Sequence, residues 1–281
     1  MRLKGALKIM KISTFLPQIL AAVRTGEVKN IDEALSILRP QGLTMLEMGT
    51  STFDGMYKPD ELLAIMKKHD IGVSSIYYAA EFGVANEIKE DTKRKLEICA
   101  KLETPFFMPV PKINPNSSVS IQDVQKMVAE YLNDVCELTK QYNITTVLEN
   151  YSDPSISIAT PEEIDVMLKE VPGLYYVLDT GNFWFSNSDV YKASEMFADR
   201  IRHVHLKDIT PTENGLLKNN NKICNSNEIG SGIIDFDKIF RVLNSVGYND
   251  IVTIEINTPG DDLKKIELSI EYLKSKFVAI N

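Results

Sequence analysis

The sequence predicts an α/β protein that folds as a single (β/α)8 TIM barrel spanning residues 1–281. Short apolar runs rich in β-branched residues alternate with longer amphipathic segments, which is typical of βα units around a parallel sheet. Eight such runs occur, and an open doubly wound sheet would normally contain fewer strands. Because no composition break or low-complexity segment divides the chain, we expect one domain, and barrels of this type often reach this length.

The eight apolar runs are the candidate barrel strands. They cover residues 7–13, 44–49, 73–79, 106–111, 145–151, 175–180, 201–207 and 251–256. Four basic residues precede the apolar stretch 12–23, an arrangement that resembles a signal peptide. Pro17 and Gln18 interrupt that stretch, and cleavage would remove the first strand, so we expect no signal peptide.

The amphipathic segments between the strands are the candidate helices. They cover residues 31–38, 59–69, 87–102, 121–142, 161–169, 190–198, 236–246 and 262–276. Residues 160–163 carry an N-cap threonine, a proline in the first turn and two acids near the positive end of the helix dipole. Asp235 is placed to cap the helix that follows it. Gly42, Gly173 and Gly247 fall where a helix must turn into the next strand.

The longest irregular stretch is 210–234, rich in Asn and Lys, and it follows the seventh predicted strand. Long loops after barrel strands lie on the catalytic face, so this stretch is a candidate lid.

Composition restricts the partners and the compartment. The net charge of −8, without a dense Lys/Arg run, predicts no nucleic-acid partner. No stretch is apolar enough over sufficient length to predict a membrane span. Cys99, Cys136 and Cys224 form no CxxC pair, which predicts reduced thiols and a cytoplasmic protein.

Four consecutive strands end in residues that can bind a metal ion. Glu149, Asp179, His205 and Glu255 end the fifth to eighth strands, and such ends meet on one face of a barrel. Side chains alternate across a strand, and the apolar neighbours of these four residues suit the helix-facing side. The four residues therefore face the lumen. His203 also faces the lumen, one layer deeper, where we expect it to be a buried residue or to support a ligand.

Three carboxylates buried together are unfavourable unless a cation compensates them. One imidazole with three carboxylates suits a single divalent ion, with Mn²⁺ as the first candidate and Mg²⁺, Co²⁺ or Zn²⁺ as alternatives. The competing interpretation places each acid separately in a solvated loop.

Several segments carry a resemblance to a known family. They are VLEN at 147–150, LDTGNF at 178–183, HVHLKD at 203–208, IGSGIIDFDKIFRVLNSVGY at 229–248 and TIEI at 253–256. In this order they resemble the xylose-isomerase-like barrels of the sugar (phosphate) isomerase/epimerase superfamily. The resemblance implies that Glu149, Asp179, His205 and Glu255 bind the metal and that the two glutamates form the acid/base pair. Relatives in this family are often dimers or tetramers, so the resemblance leaves a homo-oligomer open as an alternative to a monomer.

The expected function is a metal-dependent isomerase or epimerase of a small ketose or ketose phosphate. Proton transfer between Glu149 and Glu255 would proceed through a metal-stabilised enediolate. Residues 179–208 and the GSGIIDF segment look like L-xylulose/L-ribulose-5-phosphate 3-epimerases. The strand that carries Glu149 resembles those enzymes less, so whether the substrate is phosphorylated stays open. A metal-dependent lyase (a dehydratase or a C-glycoside-cleaving enzyme) and a non-catalytic sugar-binding barrel are the alternatives.

Departures from the family pattern exclude DNA repair. Many relatives have a histidine three residues after the sixth-strand aspartate, where this chain has Asn182. The chain contains three histidines in total, fewer than a three-zinc endonuclease site requires.

Four further residues are candidate substrate contacts, namely Asn182, Lys207, Glu47 and Trp184. The alternative to a substrate contact is stabilisation of a turn for Asn182 and packing within a loop for Trp184. Lys207 either meets a substrate anion or pairs with Asp208.

Overall fold

The computed structural model describes residues 10–82, 88–113, 120–153 and 158–278. Eight parallel strands close a barrel with the neighbour order β1-β11-β7-β6-β5-β4-β3-β2. These strands are β1 Lys11–Phe15, β2 Leu43–Gly49, β3 Gly72–Phe82, β4 Phe106–Ile113, β5 Thr145–Glu149, β6 Tyr175–Asp179, β7 Ile201–Leu206 and β11 Ile251–Ile254. All eight overlap the predicted strands, so the predicted fold class is confirmed. Residues 7–9 of the first predicted strand lie outside the described residues.

Nine helices lie in the described part of the chain. They are α1 Leu16–Thr25, α2 Ile31–Gln41, α3 Pro59–Lys68, α4 Ile88–Lys101, α5 Ile121–Lys140, α6 Pro161–Glu170, α7 Val190–Met196, α8 Phe236–Ser245 and α9 Asp262–Val278. Helices α2 to α9 correspond to the predicted ones, apart from Glu87, which lies outside the described residues. Within the described ranges, none of these helices combines the length and apolarity needed to cross a bilayer.

Helix α1 is missing from the sequence prediction, because Pro17 and Gln18 interrupt its apolar pattern. Pro17 lies in the first turn, where proline costs no helical hydrogen bond. Gln18 is buried, and its Nε2 donates to the carbonyl oxygen of Ile256 over 2.7 Å. Both residues therefore fit a helix that is tied to the eighth barrel strand.

The predicted helix ends are largely confirmed. Thr160 and Glu163 form a reciprocal capping box at the start of α6, and Asp235 accepts from the backbone N–H of Lys238 at the start of α8. Gly42 and Gly247 have φ angles of 120° and 69°, which glycine adopts without the steric cost that a Cβ would add.

Two apolar layers follow the strand alternation. One cluster fills the lumen with Met45, Phe106, Met108, Val147, Val177 and Ile251. Leu148, Leu178, Val204 and Ile254 belong to the larger cluster, which also contains the buried faces of the helices. The lumen is therefore closed by side chains at its lower part, and Glu149, Asp179 and His205 face inward above that plug.

The stretch 210–234 is not irregular throughout, which corrects the sequence prediction. It contains β8 Thr210–Pro211, β9 Leu217–Asn219 and β10 Lys222–Asn225, which form an antiparallel sheet in the order β8-β10-β9. Cys224 and Leu217 of this sheet pack with Ile209, Trp184 and Phe185. The small sheet thus sits on the loop that follows β6, at the mouth of the barrel.

Candidate functional site

The four predicted ligands converge at the mouth of the barrel. Glu149, Asp179, His205 and Glu255 each offer one ligand atom, and these atoms all lie within 4.8 Å of one another. Nδ1 of His205 is 2.7 Å from Oε1 of Glu149 and 3.5 Å from Oε2 of Glu255. The side chains of Glu149 and Glu255 are 11% and 13% exposed, so this ring of ligands opens to solvent on one side.

Asp179 shows why the ring suits a cation. Its Oδ1 accepts from the backbone N–H groups of Gly181 and Asn182 over 2.8 and 2.6 Å. Its Oδ2 is buried and lies 3.0 Å from the Lys207 ammonium, without a further donor among the described residues. Burial raises the pKa of Asp179 well above its usual range, against the lowering effect of Lys207 and with the support of nearby carboxylates. A buried carboxylate oxygen that faces one ammonium group and two further carboxylates fits a ligand of a divalent ion.

Lys207 is a buried cation inside this ring. Its Nζ lies 2.6 Å from Oε1 of Glu255 and 3.0 Å from Oδ2 of Asp179, and it donates to Oδ1 of Asn182 over 2.9 Å. Burial lowers the pKa of the Lys207 ammonium, but Asp179 and Glu255 outweigh that effect and the net shift is upward. Lys207 is therefore charged and partly compensates the carboxylates.

The alternative pairing of Lys207 with Asp208 is wrong. The Asp208 carboxylate accepts from the backbone N–H groups of Gly230, Gly232 and Ile234 over 2.9, 2.8 and 3.1 Å. A Cβ on Gly232 would lie 2.3 Å from Oδ1 of Asp208. Asp208 thus anchors the glycine-rich loop before α8, and its oxygens are already satisfied there.

A second polar layer lies directly beneath the ring. Oε2 of Glu47 is 2.7 Å from Nε2 of His203, and both Glu47 oxygens are 3.2 Å from Nε2 of His205. Thr253 Oγ1 donates to Oε2 of Glu47 over 3.0 Å. Burial raises the pKa of Glu47, but the two histidines outweigh it and the net shift is strongly downward. Glu47, His203 and His205 also lie close enough together to hold a metal ion, but all three are buried. Glu47 and His203 line neither cavity among the described residues, so this layer lacks the open side of the ring above it.

The predicted substrate contact of Glu47 is therefore corrected. The side chain has no exposed surface and is absent from the described residues that line the cavities. Its oxygens are engaged below His205, which separates Glu47 from the mouth. His203 is fully buried, as predicted for a residue one layer deeper.

A cavity of about 890 Å³ opens above the ring of ligands, with Glu149, His205 and Glu255 in its lining. Phe15 and Tyr77 form an aromatic wall, since the Phe15 ring contacts the rings of Tyr77 and His205 edge-on at 5.8 and 5.1 Å. Burial and the nearby carboxylates raise the pKa of Tyr77 to about 12, so its hydroxyl stays protonated.

A smaller cavity of about 260 Å³ adjoins the first, and Glu149 and Glu255 line both. Asn182, Lys207 and Tyr151 line the smaller one. Sequence reasoning missed Tyr151, although it follows Glu149 by two residues and so shares its face under strand alternation. The ring of ligands therefore lies between two chambers.

The structure places Trp184 and Asn182, two predicted substrate contacts, in different surroundings. Trp184 is absent from the described linings of both cavities, and its ring packs edge-on against Phe185 with Nζ of Lys222 4.5 Å from its centroid. These contacts agree with the loop-packing alternative, and a substrate contact of Trp184 stays a prediction. Asn182 Nδ2 donates to the carbonyl oxygen of Asn150 over 2.9 Å, while Oδ1 holds Lys207. Asn182 stabilises the turn and also borders the smaller cavity.

Comparison of the sequence identifies related proteins. Residues 35–276 match the sequence profile of the xylose isomerase-like TIM barrel family. An inosose dehydratase of Clostridium tetani is 28% identical over 63% of this chain and 59% of that protein. An inosose isomerase of Bacillus velezensis is 22% identical over 84% of this chain and 86% of that protein. The chain thus spans about three fifths of the length of the dehydratase it matches.

Solved structures show the same fold. The IOLI protein with a zinc atom has a TM-score of 0.73 at 20% identity, covering 96% of this chain and 98% of that one. L-ribulose 3-epimerase has a TM-score of 0.75 at 16% identity, covering 97% and 96%.

Proposed function

The chain belongs to the xylose isomerase-like TIM barrel family, and from that membership we propose that it is a divalent-metal-dependent isomerase or epimerase of a small ketose or ketose phosphate. The observation that carries this proposal is the convergence of four ligand atoms within 4.8 Å on the floor of an open cavity. Two of those ligands are glutamates that face the cavity, which a metal-dependent proton transfer requires and a simple sugar-binding barrel does not.

Charge balance supports a divalent ion at Glu149, Asp179, His205 and Glu255. Three carboxylates and the Lys207 ammonium leave a net charge of −2, which one such ion would neutralise. Oxygen ligands with one imidazole favour Mn²⁺, Mg²⁺, Co²⁺ or Zn²⁺, and the zinc atom of the IOLI structure keeps zinc among the candidates. When bound, the ion would polarise a substrate carbonyl and stabilise negative charge on its oxygen.

Glu149 and Glu255 are the proposed catalytic residues. One carboxylate removes the proton from a carbon next to the carbonyl, and the other returns a proton. Return to the opposite face of the same carbon gives an epimer, and return to the neighbouring carbon gives an isomer. Asp179 and His205 hold the ion without taking part in the proton transfer.

The cavity walls suit a polyhydroxylated substrate. Phe15 and Tyr77 offer aromatic faces to the C–H surface of a sugar, as apolar walls with few polar groups do in small-molecule sites. Asn182 and Lys207 are proposed to contact substrate oxygens from the smaller chamber. The relatives named for inosose add a cyclic polyhydroxy ketone to the open-chain ketoses as a substrate class.

A metal-dependent dehydratase is the second candidate, because several of the matching relatives are inosose dehydratases. The first step is the same proton abstraction, and the reactions diverge when a hydroxide leaves from the adjacent carbon instead of a proton returning.

A substrate panel in D₂O tests the proposal. Ketoses, ketose phosphates and inososes are incubated with the Mn²⁺-loaded protein and followed by proton NMR. Deuterium at a carbon next to the carbonyl with a new epimer or isomer supports the isomerase or epimerase, and an unsaturated product supports the dehydratase. Binding of a substrate without any exchange would contradict both.

A further inference from the structure

His205 belongs to both polar layers of the barrel. Its Nδ1 faces Glu149 and Glu255 in the ring of ligands, at 2.7 and 3.5 Å. Its Nε2 faces both oxygens of Glu47 in the layer beneath, at 3.2 Å. One imidazole thus connects the proposed metal centre to a carboxylate that reaches neither cavity among the described residues.

We infer that Glu47 is a positioning residue, which accepts a hydrogen bond from Nε2 of His205 and so presents Nδ1 to the metal. The inference rests on the proposed metal site and adds to it a residue that never touches metal or substrate. Glu47 acts only through His205, by fixing the rotation of the ring and the nitrogen that carries the proton.

The chemistry of imidazole requires such a partner. A neutral imidazole has one nitrogen that can bind a metal and one that carries hydrogen, and the hydrogen-bond partner of the second selects which is which. His205 has no exposed surface, so bulk water cannot serve as that partner. A metal ion at Nδ1 would take the lone pair of that nitrogen in place of the proton that faces Glu149 in the metal-free protein. The Glu47 carboxylate lies at Nε2 and only accepts, so it would hold the remaining proton on Nε2.

The rest of the layer holds Glu47 itself in place. Nε2 of His203 lies 2.7 Å from Oε2 of Glu47, and Thr253 donates to the same oxygen over 3.0 Å. The Phe15 and His203 rings contact the His205 ring edge-on at 5.1 and 4.9 Å, which restrains it from two sides. A buried charge is less favourable than an apolar residue of similar volume, so lumen filling alone does not account for Glu47.

Metal affinity is the first test. Glu47→Gln keeps the shape but removes the charge and replaces one acceptor oxygen with a donor. Loss of such a partner typically costs about 10–100-fold in metal affinity. Isothermal titration of the metal-stripped protein with Mn²⁺ measures it. Equal affinity in Glu47→Gln and the parent protein would overturn the inference.

Ser13→Ala is the matched control. Ser13 is fully buried in the same lumen, and its Oγ lies 2.8 Å from Oγ of Ser74 rather than from Glu47 or His205. The control should lower the melting temperature modestly and leave Mn²⁺ affinity at the parent value. An equal loss of affinity in Ser13→Ala would mean that general loosening of the lumen causes the effect, which also overturns the inference.

A second readout needs no variant, so it can overturn the inference even if Glu47→Gln does not fold. The chain has three histidines, so ¹⁵N-histidine labelling gives a simple spectrum. With Zn²⁺ bound, we expect His205 to carry its proton on Nε2 and to show a metal-shifted Nδ1. A proton on Nδ1 would overturn the inference. A parent protein that binds no divalent metal would instead refute the proposed function on which the inference rests.

Discussion

The two polar layers of the barrel contain the same residue types but differ in what satisfies them. In the upper layer, Oδ2 of Asp179 faces the Lys207 ammonium without a further donor among the described residues, and Glu149 and Glu255 keep exposed surface. In the lower layer, Glu47 has no exposed surface, and donors from β7 and β11 engage its oxygens. Ligand carboxylates that line a cavity, rather than the presence of Glu and His, therefore separate the proposed metal centre from a structural network.

The layers also differ in their charge compensation. Lys207 is the cation among the three carboxylates of the upper layer, which leaves a charge that one divalent ion would neutralise. In the lower layer the single carboxylate faces two histidines and a hydroxyl, and needs no ion. We expect the upper layer to bind the metal directly and the lower layer to act on it only through His205.

Removal of the metal should have the largest effect on activity, and this effect should come from the upper layer. Treatment with a chelator should abolish turnover, and Mn²⁺ should restore it, because proton abstraction needs a polarised carbonyl. Metal at 100 times its Kd should stabilise the fold by about 2.7 kcal/mol, measured as a rise in melting temperature. Full activity after exhaustive chelation would contradict the assignment of the upper layer.

Glu149→Gln and Glu255→Gln should each lower kcat by roughly 10²–10⁴-fold, because each removes one partner of the proton transfer. Turnover and deuterium exchange in D₂O measure this loss. Glu271→Gln, on the exposed surface of α9, is the control and should leave kcat unchanged. Retained activity in both of the first two variants would refute their catalytic role.

Lys207→Met should have opposite effects on stability and on metal binding. Removing the cation leaves the carboxylates of Asp179 and Glu255 unpaired, which should destabilise the metal-free protein by roughly 3–5 kcal/mol. The same change makes the site more negative, so Mn²⁺ should bind about tenfold or more tightly. Calorimetric melting and titration measure the two effects. Weaker metal binding would show that Lys207 supports the ion instead of balancing the charge.

Thr253→Val should have the smallest effect, confined to the lower layer. It removes a hydrogen bond to Glu47 without touching His205, which should cost about 1 kcal/mol of stability. Mn²⁺ affinity, measured by titration, should fall much less than in Glu47→Gln, because His203 still contacts Oε2 of Glu47. A loss as large as that of Glu47→Gln would show that Thr253, rather than His203, holds Glu47 in place.

Strand alternation predicts that Glu149, Asp179, His205 and Glu255 face one another at the mouth, and the structure brings them together there. Period two and the common direction of barrel strands determine which residues meet. The same rule placed Glu47 on the lumen side but could not tell its depth. Depth depends on the stagger between neighbouring strands, and the pairing of β1 with β2 and of β2 with β3 shifts register. Glu47 consequently lies below His205 instead of beside it.

Other contacts could not be predicted because they join residues that lie far apart in the chain. The packing of Trp184 under Lys222 depends on the small sheet β8-β10-β9, whose strands are too short to show a periodic pattern. The partners of Lys207 were uncertain because Asp208 is its neighbour in sequence, whereas Glu255 is distant in sequence and 2.6 Å away in space.

The sequence by itself determined the barrel, the order of its strands and the four side chains that face one another at its mouth, since these follow from local periodicity and chain direction. The tertiary structure alone decided which polar groups are satisfied. It closed the lower layer around Glu47, inserted Lys207 among the carboxylates, and left Oδ2 of Asp179 without a further donor from the described residues. The reason is that hydrogen bonding and charge compensation depend on distances of a few ångströms between residues far apart in the chain.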